Sequence, residues 1–426
     1  MASVKPFKGI LYDPSRVNVS NVVAPPYDVI SPQEQSALYE RDPQNVVRLI
    51  LNREANPYVA AGRDYMSWLD ERFLVQDRLP AVYILAQTFS DLEGRPVERW
   101  GIMAACKLEE FGKGSIYPHE KTLSGPREDR FRLFQSTNAM FSQIFGLYSD
   151  PNHALDTPIR SVVAEQPVID LKYDGVRNRL WRLSDEGHQS AVVSFLADQK
   201  VLIADGHHRY ETALLYRDSR RLKNPGHLGT EPYNFVPMFF TNMHDPGLII
   251  YPTHRLVHSM AGFAHDSFIK SCRRYFTVAD FTSTDELLRE LKSHAKGAIG
   301  VFLANPDQHY LLRARDGAVK EEMRAMPLAL AELDVTLLHV IIMKTILGMN
   351  DEVQEKKLYL RYEKDAGQAI ASVQSGTSQA VFLMNPTKIE QVRSVASSGM
   401  VMPQKSTYFY PKILSGLVIY SFEERG

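Results

Sequence analysis

Residues 204–213 read ADGHHRYETA. An Asp-Gly turn leads directly into two histidines and an arginine. The runs before it, 191–196 and 201–204, are apolar and read as paired strands. After it, Tyr210, Ala213, Leu214 and Arg217 recur at helical spacing. The polar cluster therefore stands at a strand-to-helix corner. Gly206 lets the backbone turn tightly or approach a ligand. The first N–H groups of the next helix have no partner within it and carry the positive end of its dipole. Such an end binds anions, phosphate above all. His207, His208 and Arg209 add donors at the same place, and an arginine can grip phosphate with two parallel bonds. The plainer reading is that Asp205 caps the helix and the others are surface groups. The stretch alone leaves both open.

A chain of 426 residues has room for two or three domains. Hydrophobic content of 44% and charged content of 23% are those of an ordinary globular protein. A net charge of −1 provides no general attraction for nucleic acid or anionic membrane. The expectation is a protein that binds neither. Cys106 and Cys272 are too few for a disulfide framework and suit a reducing cytoplasm. MASVKPFKGILYDPS at the N-terminus shows no apolar signal core, and cytoplasmic location is the expectation. The most apolar helix, 334–349, carries His339 and Lys344, is too short to span a bilayer, and reads as buried core. The oligomeric state stays open.

Periodicity predicts a helix over 57–74, strands over 81–90 and 98–111 joined by a DLEGRP hairpin, a helix near 127–138 and a strand near 142–148. After about residue 260 the pattern changes to alternating short elements at 264–274, 275–279, 284–295, 298–303 and 308–314. GVFLANPDQHYLL and AVFLMNPTKIEQV share a theme, an apolar strand ending at Asn-Pro. The class is α/β with mixed α+β sheets, as two domains, 1–260 and 261–426.

Three further clusters carry polar chemistry. Residues 116–130 read IYPHEKTLSGPREDR. His119, Glu120 and Lys121 stand in a loop, where a carboxylate can act as general base. Ser124 to Arg127 read either as a second anion contact or as a helix start with Pro126 in its first turn. Residues 402–412 read MPQKSTYFYPK, in which Lys405, Ser406 and Thr407 are compact donors or a plain polar turn. His254 and Arg255 follow a β-like run and line a site or end a strand. No HExxH or CxxC spacing supports zinc.

Taken together the clusters resemble the free-serine kinases of the ParB/sulfiredoxin-like fold. ADGHHR is similar to the phosphate-binding turn of that fold, Pro118-His119-Glu120 to the triplet whose glutamate acts on the serine hydroxyl, and Pro403-Gln404-Lys405-Ser406-Thr407 to the run at the serine pocket. The strand with Pro386-Thr387-Lys388 resembles the segment before it. The order along the chain agrees. The overall layout also resembles a large bacterial and archaeal family described only as a domain of unknown function, which covers nearly the whole chain and supplies no activity. The resemblance implies a nucleotide-binding core in 1–260, with 261–426 contributing to the substrate pocket. It implies phosphoryl transfer between ADP or ATP and L-serine, or the reverse from O-phosphoserine. In that scheme Glu120 is the base. Asp205, His208 and Arg209 are catalytic, and Gly206, His207, His208 and Arg209 hold phosphate. His119, His254, Lys405, Ser406 and Thr407 bind the acceptor, and Asp205 holds Mg²⁺ or orients a histidine. Departures are the 85 residues between Glu120 and Asp205 and the lack of a Trp near Thr253 or His254, where the family has its aromatic substrate contact. His207 stands where sulfiredoxins need a cysteine, so reductase chemistry is not expected. The alternatives are a ParB-like nucleotide switch, a nucleotide hydrolase, or a kinase of another small hydroxyl compound.

Overall fold

The computed structural model describes residues 2–120, 124–304 and 306–424. The chain is α/β with mixed sheets and divides into two units. The first comprises 1–118, 122–249 and 411–426; the second comprises 119–121 and 250–410. The border between the units along the chain lies near residue 250. Two short exchanges lie outside what periodicity shows. His119 to Lys121 count with the second unit, and the last sixteen residues return to the first.

That return has a physical cause in strand pairing. Tyr420 pairs with Met140, and Ile419 bridges to Ile10. Arg99 is fully buried and donates to the carbonyl of Pro411 at 2.5 Å and to Gln87 Oε1. Burial pushes its pKa down to about 9, opposed by Asp245.

Among the described residues the sheet of the first unit has nine strands. Its order is Ile116–Tyr117, Val201–Asp205, Ile144–Tyr148, Phe235–Asn242, Pro96–Lys107, Val82–Ser90, Val176–Leu183 and Ile169–Tyr173, with Val4–Lys5 also on Pro96–Lys107. Val201–Asp205 runs parallel to Ile116–Tyr117 and antiparallel to Ile144–Tyr148. The expected hairpin is present as Val82–Ser90 and Pro96–Lys107, where Tyr83 faces Met103. The strand expected over 191–196 is instead part of a helix, Glu186–Ala197. Asp185 caps it by accepting from the His188 N–H at 2.7 Å, and Val192 and Leu196, one turn apart, are its buried residues. A six-residue apolar run fits either period, and the cap decides it.

The second unit carries an antiparallel six-stranded sheet in the order Phe276–Phe281, Gln308–Ala314, Ala298–Leu303, Ala380–Leu383, His254–Val257, Leu360–Glu363. The two Asn-Pro passages are neighbours in it, with Val301 opposite Phe382. Successive residues enter opposite cores. Val257, Val301, Leu312 and Phe382 pack with Phe268, Leu338 and Ile342. Leu256, Phe302, Leu311 and Val381 pack with Leu287, Leu291 and Ile370. The alternation of strand side chains thus lets helices cover both faces. The apolar helix at 334–349 is core as expected, but its middle, Leu338–Ile346, is wound as a π-helix. Among the described residues no helix is long and apolar enough to cross a membrane.

Candidate functional site

The corner at 204–213 forms as its sequence predicts. Val201–Asp205 ends at Gly206, whose φ of +91° is left-handed, and the helix His207–Lys223 starts at the next residue. Only glycine adopts that φ at no steric cost. A Cβ there would also lie 3.0 Å from the Arg209 guanidinium. The Tyr210 N–H makes the first helical bond to the Gly206 carbonyl at 2.9 Å. No side chain caps this helix start among the described residues. Arg220, Arg221 and Lys223 occupy the last turn, which suits the opposite pole of the dipole.

Arg209 is buried and turned inward. It donates to Ser142 Oγ at 2.8 Å, to the Gln143 carbonyl at 2.6 Å and to Asp205 Oδ2 at 3.0 Å. The fork that the sequence offered to phosphate ties the corner to the neighbouring 142–143 segment. Lys412, from the returning C-terminal segment, donates to Asp205 Oδ1 at 3.1 Å. Each carboxylate oxygen of Asp205 therefore meets a cation. This does not fit Asp205 as a Mg²⁺ ligand, because a cation bound there would lie beside two positive groups. Among the described residues no three His, Cys, Asp or Glu side chains gather as a metal site. His207 is buried and His208 half-buried at the start of the helix.

The second cluster lies in the other unit. The Met402 N–H bonds to the His119 carbonyl at 2.7 Å, and Glu120 bridges to Met402 in parallel register. This places Glu120 under the loop 403–407. Its Oε1 accepts from the Ser406 N–H at 3.1 Å, the Thr407 N–H at 3.4 Å and Thr407 Oγ1 at 3.4 Å. His119 is fully buried, and its Nε2 stands 2.8 Å from Thr407 Oγ1. If that hydroxyl donates to Glu120, the His119 Nε2–H donates to it, so the three groups form one relay. Lys121 lies outside the described residues.

Sequence reasoning left Arg255 undecided between a site and a strand end. The structure makes it the anchor of this loop. It is buried on the strand His254–Val257 and donates to the Lys405 carbonyl at 2.9 Å and to the Thr253 carbonyl. Burial lowers its pKa to about 10, opposed by Tyr362 and Glu120. Lys405 has a left-handed φ of +56°, a costly conformation for a residue with a side chain. Thr387 Oγ1 donates to the Ser406 carbonyl at 2.8 Å. Hence Pro-His-Glu, Asn-Pro-Thr and Pro-x-Lys-Ser-Thr meet around one loop. His254 is buried beside them and accepts the Met384 N–H on Nδ1 at 3.1 Å. Burial, then Arg255, lowers its pKa to about 4, so it is neutral, with its proton on Nε2.

Arg127 pairs with Glu211 at 3.1 Å and Arg132 with Glu128 at 2.8 Å, on the helix Ser124–Thr137. This is the helix-start reading of that segment; the side chains of Ser124 to Pro126 lie outside the described residues. Lys412 was missed, since only the return of the chain brings it to Asp205.

Known structures resemble the fold loosely. A conserved hypothetical protein from Pyrococcus furiosus aligns at 13% identity and a TM-score of 0.35, over 71% of this chain and 91% of its own. A free serine kinase variant in complex with ADP aligns at 11% identity and a TM-score of 0.36, over 71% and 88%. A C-terminally truncated SbnI from Staphylococcus aureus aligns at 12% identity and a TM-score of 0.34, over 71% and 82%. Superposition this loose carries no residue role across. A search of curated proteins found no match. Residues 4–336 match the family described as "Protein of unknown function (DUF1015)", and the chain belongs to that family.

Proposed function

We propose that the protein is a phosphotransferase that moves a phosphoryl group between an adenine nucleotide and the hydroxyl of a small acceptor of the serine class. The observation that carries this reading is the seat of Glu120. Three donors converge on Oε1 and fix the carboxylate on a relay from buried His119. A general base needs this kind of fixed placement. The nucleotide and the acceptor come from the motif resemblance.

In this reading the helix start after Gly206 holds donor phosphate through backbone N–H groups, with His207 and His208 beside it. Arg209 is a positioning residue that keeps the corner in shape through Ser142, Gln143 and Asp205. Glu120 Oε2 takes the proton of the acceptor hydroxyl. The hydroxyl oxygen forms a bond to phosphorus as the bond from phosphorus to the nucleotide oxygen breaks. Lys405 holds the acceptor carboxylate, Ser406 and Thr407 position the base through the bonds they give to Glu120, and His254, neutral, holds the Met384 N–H before the Asn-Pro-Thr segment. Phosphoryl transfer is mainly positioning and charge stabilisation, which this set supplies.

Phosphorus NMR tests it, with Mg²⁺ in two mixtures: ADP or ATP with L-serine, and phosphoserine with AMP or ADP. Phosphoserine growing in the first, or phosphate passing to nucleotide in the second, is the expected result. Nucleotide loss without phosphoserine assigns a hydrolase or another acceptor. No turnover in either mixture overturns the reading and leaves a nucleotide-binding switch.

A further inference from the structure

The run YFYPK at 408–412 ends in a lysine that has no role in the scheme above. Only 14% of the Lys412 side chain is exposed, and its Nζ donates to Asp205 Oδ1 at 3.1 Å. Asp205 directly precedes Gly206 and the helix His207–Lys223. The returning segment thus delivers an ammonium group to the residue that leads into the helix start.

The simplest account is a tie between the C-terminal segment and the corner. Two observations weigh against it. First, the backbone at 411–412 is already held by the sheet. Fully buried Arg99 donates to the Pro411 carbonyl at 2.5 Å, and Gln87 Nε2 donates to the Lys412 carbonyl at 3.5 Å. Beyond it, Tyr420 pairs with Met140. A segment fixed this way does not need its lysine as an anchor. Second, Asp205 already has a cation in Arg209, which Ser142 and Gln143 also hold. A second, largely desolvated cation on the same carboxylate is costly to bury. Asp205, Arg209 and Lys412 together sum to one positive charge. That charge lies at the positive pole of the helix, where an anion is favoured.

The two cations differ in what they can reach. Arg209 is turned inward. Lys412 carries its ammonium on a flexible stem with three N–H donors, so a bond to Asp205 is compatible with another to a phosphate oxygen. We propose that Lys412 is a phosphate-binding residue, donating from Nζ to a non-bridging oxygen of the donor phosphates at the helix start. Asp205 orients it, and Arg99 and Gln87 carry its backbone into place; these three are positioning residues. The inference deepens the phosphoryl-transfer reading and rests on its placement of donor phosphate at the corner.

The test is calorimetric titration of the full chain with ADP and with adenosine, in wild type, Lys412→Met and Lys412→Arg. Wild type binds ADP more tightly than adenosine. Lys412→Met weakens ADP about 10–100-fold, as loss of a charge-assisted hydrogen bond does, and leaves adenosine unchanged. Lys412→Arg recovers most of the ADP affinity. A merely structural lysine would move both ligands together or neither, and either result overturns the proposal, as does a wild type that binds ADP no better than adenosine. A second measurement needs no variant. ADP, but not adenosine, slows acetylation of Lys412 by an amine-reactive ester, read by mass spectrometry; equal labelling with both overturns the contact. Failure of the transfer reading looks different. Wild type without phosphoryl transfer, in which ADP affinity still depends on Lys412, keeps the phosphate contact and removes Glu120 as base.

Discussion

The corner at Asp205–Arg209 and the seat of Glu120 are both polar clusters, but they are built in opposite ways. The corner is local. Its ion pair spans one helical turn, from Asp205 to Arg209, and its turn is set by one glycine. The seat is assembled from residues 286 positions apart, Glu120 and Ser406, held by an arginine on a third segment. A local motif specifies the form of the backbone and can be read directly. A long-range seat specifies the placement of one carboxylate, and every part of it depends on the fold. The corner also turns its arginine inward to structure, whereas the seat gathers its donors on one carboxylate. Substitutions in the corner should therefore cost stability, and those in the seat should cost turnover.

The largest effect expected is on turnover. Glu120→Gln keeps the shape of the seat and removes the proposed base, so on the phosphotransferase proposal transfer should fall about 10²–10⁴-fold with little change in nucleotide affinity. Phosphorus NMR and nucleotide titration read the two separately. A melting temperature that drops as far as for a corner variant would make the seat structural and end the contrast.

Arg209→Met is the matching change in the corner. It leaves the buried Gln143 carbonyl unpaired and takes one cation from Asp205, with Lys412 still bonded to it, which costs about 1–3 kcal/mol. Urea unfolding monitored by circular dichroism measures it. A change below about 1 kcal/mol would mean that the fork is not needed to hold the corner.

His254 sharpens the comparison through pH. Its folded pKa of about 4 lies below the ordinary 6.5, so protons bind the unfolded chain first as the pH falls. The group's contribution is complete above about pH 6.5 and is lost as the pH falls toward 4, by up to about 3 kcal/mol. Asp334, raised to about 6 by burial, acts in the opposite sense, since its contribution is lost as the pH rises. The difference between wild type and His254→Gln isolates the histidine. Wild type should lose melting temperature more steeply between pH 6.5 and 4.5, and equal slopes would refute the assignment.

The smallest effect expected is from Gly206→Ala, about 1–2 kcal/mol from the left-handed φ alone, with the Arg209 guanidinium forced to shift. Loss of nucleotide binding beyond that stability cost would strengthen the phosphate role of the helix start. Unchanged binding in a folded variant would remove it.

Much of the architecture was legible because short-range forces set it. The hairpin 82–90 with 96–107 follows from alternation around an Asp-to-Gly turn, and the strands 298–303 and 308–314 appear as expected. The helix 186–197 was misread because its apolar run fits two periods and its decisive cap lies outside the run. The π-winding at 338–346 leaves no mark in the sequence distinct from an apolar helix.

By itself, then, the sequence determined the class of fold, the corner with its glycine, and the identity of the groups able to do acid–base chemistry. These depend on residue type and on spacing within a few positions. Only the tertiary structure decided what those groups touch. It turned Arg209 inward, brought Lys412 to Asp205 through the returning C-terminal segment, and set Arg255 under the Lys405 carbonyl. A side chain's partners are chosen by burial, because a charge removed from water must be matched by whatever the fold places beside it.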